Sequence, residues 1–310
     1  MKILSCLVLL ALESLDTARG FAPSHQTHHG TAKYIPHSNN VLVGEDQPLS
    51  TFQQKTRHLP VIQAKNTDVV ESDEQTPFWN DLSINPPYVA AYVLFLSFAF
   101  YRSFTEPEGA SMEILQGFFV DPINPGCNEL FVAIFNLLGL YFVPLACLLM
   151  PGAKGQKLPA TPFIFASMLG GYGFLGPYVM TREPSFSVVK KSDLGWFTSK
   201  VLENKIFNWV TVALILSAYI NSGCIGALVS DPNGLISGYG DLASQTAIAS
   251  ASSMDFAILT LVAASFVPED LARRGVQGGI APYAIAASTV LLPGVGAALY
   301  CALRPPLDEE

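Results

Sequence analysis

The chain has 310 residues, is 50% hydrophobic and only 14% charged, and carries a formal net charge of −8. A soluble domain holds about 25% charged residues, so this low charge, with a mean hydropathy of +0.36, points to a membrane protein. The acidic balance excludes nucleic acid as a partner, because phosphate binding needs clustered Lys and Arg.

The N-terminal stretch reads as an address. Lys2 precedes an apolar run over residues 3–12, too short to span a bilayer, and Thr17, Ala18 and Gly20 offer small residues for cleavage. Residues 1–20 are therefore expected to be a signal peptide. Residues 21–65 are rich in Ser, Thr, Gln and His, with Glu45 and Asp46 as their only acids and Lys33, Lys55, Arg57 and Lys65 as bases. Plastid transit peptides have this composition. Residues 66–86, which include TDVVESDEQTPFWND, form an acidic N-terminal tail, and residues 87–307 a transmembrane helical domain. At the junction stands Gly20-Phe21-Ala22-Pro23. A signal peptide running into Phe-Ala-Pro and then into a transit-like segment resembles the bipartite presequences of nuclear-encoded plastid proteins in algae with secondary red plastids, such as diatoms. Gly20 replaces the first Ala of their motif.

All five His (His25, His28, His29, His37 and His58) lie in that address. Once it is removed, the commonest metal ligand and the commonest general base near neutral pH are both absent. His-ligated zinc, di-iron or haem sites and any His-containing triad are then excluded. The five Cys (Cys6, Cys127, Cys147, Cys224 and Cys301) include no C-x-x-C pair, so no zinc knot or redox motif is indicated. No metal site is indicated and the cofactor is left open. A magnesium pigment stays possible, because water, amides and carboxylates can ligate it without His.

Apolar runs of spanning length, about 20 residues each, predict an all-α polytopic bundle of about six transmembrane helices: residues 87–104, 129–150, 160–180, 206–228, 254–267 (with a start near Ala247 as an alternative) and 283–303. Pro and Gly punctuate the connections, as at Asn124-Pro125-Gly126, Pro151-Gly152 and Asp231-Pro232-Asn233-Gly234. With six spans, Arg102, Arg182, Lys190, Lys191, Lys200, Lys205, Arg273 and Arg274 share one side, and Lys154, Lys157 and Arg304 the other. The first side would face the compartment from which insertion starts, the stroma in a plastid. The acidic tail would then face the lumen or intermembrane space.

Gly171-Tyr172-Gly173-Phe174-Leu175-Gly176 matches a dinucleotide fingerprint, but it lies in an apolar span and not after a strand, so small residues for close helix packing are the better reading. Ser237-Gly238-Tyr239-Gly240-Asp241 echoes a potassium filter without its Thr-Val pair, and reads as a glycine-rich loop. In FVPEDLARRG, Pro268-Glu269-Asp270 reads as a helix start. Glu269 and Asp270 can pair with Arg273 and Arg274 along a helix face, as a lipid-headgroup or catalytic acid site or as an ion-paired anchor. Asp255, Glu129, Asn136 and Asn221 lie in or at the edges of spans, where ionisable groups are functional candidates. Glu129 and Asp255 open their spans as drawn, unless span five starts near Ala247. Arg182 and Glu183 read as snorkelling or solvated loop charges.

GCNELFVAIFNLLG (residues 126–139), LPATPF (residues 158–163), Met254-Asp255-Phe256 and the DLARRG segment resemble a family of multi-span cyanobacterial and plastid membrane proteins without assigned activity. That resemblance implies location more than chemistry. The expected function is a non-enzymatic role in assembly or support of photosynthetic membrane complexes, in the thylakoid or inner envelope. The expected partners are the lipid bilayer and other membrane subunits. Two alternatives stand beside it: a membrane enzyme acting on a lipid or isoprenoid through Asp255, Glu269 and Asp270, and a small-solute transporter with Pro-broken spans at Pro144, Pro177 and Pro293.

Overall fold

The computed structural model describes residues 82–276 and 278–309. The signal peptide, the transit-like segment and most of the acidic tail lie outside the described residues. The described chain is an all-α bundle without named strands. Its helices are α1 Pro86–Thr105, α2 Ala110–Val120, α3 Glu129–Leu149, α4 Ala160–Thr181, α5 Lys205–Asn221, α6 Cys224–Ser230, α7 Pro232–Gln245, α8 Ala247–Arg273, α9 Ala281–Leu291 and α10 Val295–Leu303.

Local chemistry sets the helix starts. The side chains of Asn128, Asn204 and Asp231 accept backbone N–H groups at the first turns of α3, α5 and α7, which satisfies donors that a helix start leaves free. Pro232 stands in the first turn of α7, where its missing N–H costs nothing. The Ser237–Asp241 segment expected as a loop is therefore helical. Pro268 does not open a helix either. It sits inside α8, which runs unbroken for 27 residues from Ala247, so the alternative start of span five is the observed one.

By length and composition, α1, α3 with its following turn, α4 and α8 can each cross a membrane, and α5 with α6, bent by 52°, makes a fifth if it is one span. One of these does not cross. Gly170 (φ −136°, ψ 23°) and Gly171 (φ 52°, ψ −133°) are non-helical in the middle of α4. In a straight helix Phe163 and Tyr178 would stand about 22 Å apart at 1.5 Å per residue; their rings stack with centroids 6.1 Å apart. Beyond the two ends, the Gln156 amide bonds the Glu183 backbone in both directions at 2.8 Å. The helix thus doubles back at Gly170-Gly171 as a re-entrant hairpin.

The last expected span folds the same way. Residues 283–303 divide into α9 and α10 around Leu292-Pro293-Gly294, and a Cβ on Gly296 would lie 2.5 Å from the Thr289 carbonyl, so the two arms are in contact. Apolar length cannot tell a crossing from a hairpin whose halves each go half-way. The break residues decide it, and both breaks carry glycine at positive φ, Gly171 and Gly294.

Four elements then have the length to cross: α1, α3, α8, and α5 with α6 taken as one bent span. Both hairpins enter and leave at one end of the bundle. At that end stand Lys154, Lys157, Arg182, Lys190, Lys191, Lys200, Lys205, Arg273, Arg274 and Arg304. At the other end, Arg102 is the one base among the described residues, and Glu106, Glu108, Glu113, Asp121, Glu129, Asp231 and Asp241 gather there. Lys154, Lys157 and Arg304 therefore join the basic side, Arg102 leaves it, and the charge bias is stronger than a six-span count gives. Asn85, which opens α1, donates its N–H to the Met180 carbonyl at 2.8 Å, so the described N-terminus also lies at the basic end. Of the acidic tail only residues 82–86 are described, and they stand at the basic end; its acidic stretch lies outside the described residues. Arg102 spends its guanidinium on the carbonyls of Ala243 and Ser244 at 2.9 and 2.7 Å, closing the C-terminal end of α7.

Candidate functional site

Asp255 does not open its span. It lies about 12 Å along α8 from Ala247, at 1.5 Å per residue. It is buried, and its Oδ1 accepts the Tyr172 N–H at 2.7 Å. Tyr172 opens the returning arm of α4, so Asp255 caps a helix start from across the bundle, where a negative group is favoured. The contact requires glycine: a Cβ on Gly171 would fall 1.6 Å from Asp255 Oδ2. No hydrogen bond reaches Oδ2 among the described residues. The G-x-G-x-x-G run is accordingly a packing motif, as expected, and also a break. Gly173 and Gly176 let α1 come close through Phe95 and Tyr92. Pro177 deprives the Gly173 carbonyl of its helical donor, and the Tyr92 hydroxyl supplies one at 3.2 Å.

The tip borders a cavity of about 720 Å³ whose walls come from α3, α4, α5 and α8. Asn136 and Asn221 reach it, with Ser167, Ser217 and Ser252. Leu115, Pro122, Ile123 and Ile248 line it toward the acidic end. Among the described residues, Asp255 is the sole ionisable side chain in its lining. Glu129 does not take part; it is exposed in the first turn of α3.

The neighbouring residue on α8, Phe256, meets the other hairpin. Gly294 packs against Leu137, Phe256 and Ile215, and the Tyr219 hydroxyl donates to the Pro293 carbonyl at 2.9 Å. Both tips thus stop at one level of α8, deep in the apolar layer.

Glu269 and Asp270 are placed elsewhere, at the basic end, inside a buried ion network. Arg182 holds Glu269 through a fork of two hydrogen bonds, the longer at 2.8 Å, and Arg273 reaches the same carboxylate at 2.5 Å. Asp270 accepts from Arg274 at 2.8 Å, Arg304 at 3.1 Å and the Tyr300 hydroxyl at 2.7 Å. Glu203 bridges Arg274 and Arg304, each at 2.8 Å. Ion pairing was legible in the sequence; full burial was not. Arg182 is not a solvated loop charge, being 3% exposed. Burial alone would lower the Arg182 and Arg304 guanidiniums, but Glu269 beside the first and Asp270 beside the second raise both above their usual values. Arg182 follows the first hairpin and Arg304 the second, so the network ties the exits of both to the last turn of α8.

Sequence reasoning missed Arg182, Glu203, Arg304 and Tyr219. The signals for the hairpins were present as Gly170-Gly171 and Leu292-Pro293-Gly294, each dividing an apolar run into similar halves. No protein-family model, no curated protein and no solved structure matches the chain.

Proposed function

We propose that this is a multi-pass plastid membrane protein, non-enzymatic, that carries a small solute across the bilayer. One observation carries the reading: a helix broken at Gly170-Gly171 presents its tip to the buried Asp255 beside a cavity at mid-helix depth. Non-helical backbone inside a bilayer is tolerated where protein buries it or where it lines a cavity. Broken helices meeting an ionisable group near the midplane are how secondary transporters build substrate sites. The lining reaches toward the acidic end through Leu115, Pro122 and Ile123, while the buried ion network lies at the basic end, which in a plastid would face the stroma. Catalysis on a lipid is the weaker reading, because Glu269 and Asp270 are each held by arginines. A role in assembling photosynthetic complexes rests on the plastid address, the small-residue packing faces and the absence of His after residue 58.

Purified protein in liposomes should take up at least one solute from a labelled panel of amines, amino acids and sugars. Asp255→Asn should reduce that uptake at least about tenfold, the effect of losing a charge-assisted contact of about 1.4 kcal/mol. Uptake indistinguishable from protein-free vesicles across the panel would sink the carrier reading.

A further inference from the structure

We infer that the cavity beside Asp255 selects a protonated amine carried on a mostly apolar small molecule. The inference rests on the carrier reading for transport but concerns binding alone. Its first ground is charge. Among the described residues, the lining holds one ionisable side chain, the acidic Asp255, and neither Lys, Arg nor His. An anion would meet a carboxyl group with no counter-charge, in a setting where an unpaired charge is costly. A cation would complete an ion pair there. The second ground is the unused hydrogen-bonding capacity. Asp255 is 6% exposed, its Oδ1 is taken by Tyr172, and Oδ2 has no donor among the described residues. Asn136 and Asn221 add amide oxygens to the same wall. The third is size and texture. A volume of about 720 Å³, lined by Phe95, Phe135, Leu138, Leu214 and Ile248, is that of an organic ligand and not of a bare ion. The fourth is the route. Leu115, Pro122 and Ile123 carry the lining toward the end where Glu113, Asp121, Glu129 and Asp231 gather and Arg102 is already engaged, a charge balance that concentrates cations and repels anions.

The test uses the full protein in detergent and three probes with one apolar body: 1-naphthylmethylamine, 1-naphthalenemethanol and 1-naphthoate, measured by equilibrium dialysis at neutral pH. The amine should bind at least about tenfold tighter than the alcohol, and the acid weakest, as expected for a charge-assisted bond in low dielectric. Asp255→Asn keeps an acceptor for the Tyr172 N–H and should erase the preference of amine over alcohol. Ala251→Phe, one turn away on the cavity wall, should weaken all three. Equal binding of amine and alcohol, tighter binding of the acid, no binding of any probe, or an Asp255→Asn protein that keeps the preference would each overturn the inference. If Asp255→Asn does not fold, the wild-type ranking alone decides. Amine binding without amine flux in liposomes would leave the inference standing and remove the carrier reading. Flux of another solute with no amine preference would do the reverse.

Discussion

The tip of the first hairpin is a pair of glycines facing the carboxyl of Asp255 beside a cavity; the tip of the second is Pro293-Gly294 set among Leu137, Ile215 and Phe256. Each turns the chain back at the same level of the bundle. Each leaves backbone groups that must find partners away from water. The second finds them cheaply, with the Tyr219 hydroxyl and the Val295 N–H on the Pro293 carbonyl, and apolar side chains close around it. The first uses an acidic side chain at bilayer depth, the most costly partner available. A turn alone does not need that. On the carrier reading, the second tip has a structural task and the first a functional one.

The sharpest way to break this comparison is to show that the hairpins are crossings. Single cysteines replacing Lys157, Glu183 and Asp231, in a protein whose half-buried Cys127 is serine, separate the cases. Lys157→Cys and Glu183→Cys should react with a membrane-impermeant maleimide from the same side, and Asp231→Cys only from the other. An α4 that crossed the bilayer would put Lys157 and Glu183 on opposite sides.

A smaller effect separates the two tips. Gly171→Ala meets both a backbone conformation nearly reserved for glycine and a Cβ placed 1.6 Å from Asp255 Oδ2. The cost should be about 3 kcal/mol or more, from strain and overpacking together. Gly294→Ala carries the positive φ but would meet its neighbours at an ordinary 3.5 Å, so strain alone remains, at about 1–2 kcal/mol. Thermal unfolding in detergent should show the larger drop for Gly171→Ala. Equal drops would mean that Asp255 is not held against the tip.

Helices, burial and the membrane class were readable from apolar runs, because an apolar stretch must leave water whichever way it folds. What was not readable was the path. Residues 160–180 and 283–303 have the length and composition of spans, and only long-range pairs such as Phe163 with Tyr178 reveal the return. The error then propagated. Two miscounted crossings moved Lys154, Lys157 and Arg304 to the wrong side and hid the near-absence of bases at the acidic end. Asp255 stands out in the sequence as an acidic residue in an apolar run, but its depth depends on a helix start that Thr246 and Ala247 signal weakly. Glu203, Arg182 and Arg304 come from three separate segments, and nothing in local spacing brings them to Glu269 and Asp270.

The smallest change tests whether the second hairpin is only a scaffold. Tyr219→Phe removes one of the two donors to the Pro293 carbonyl and leaves the other. A neutral hydrogen bond with a remaining partner contributes about 0.5–1 kcal/mol, so the unfolding midpoint should fall less than in Gly294→Ala. Amine binding and solute uptake should not change, because Tyr219 does not line the cavity. If uptake drops while the unfolding midpoint holds, the hydroxyl sets the balance between two positions of the second tip, and the tip moves during transport. The division of labour would then run the other way: Asp255 and the first hairpin would form the fixed site, and the second hairpin, with Arg304 as its latch on Asp270, would be the part that opens the basic end.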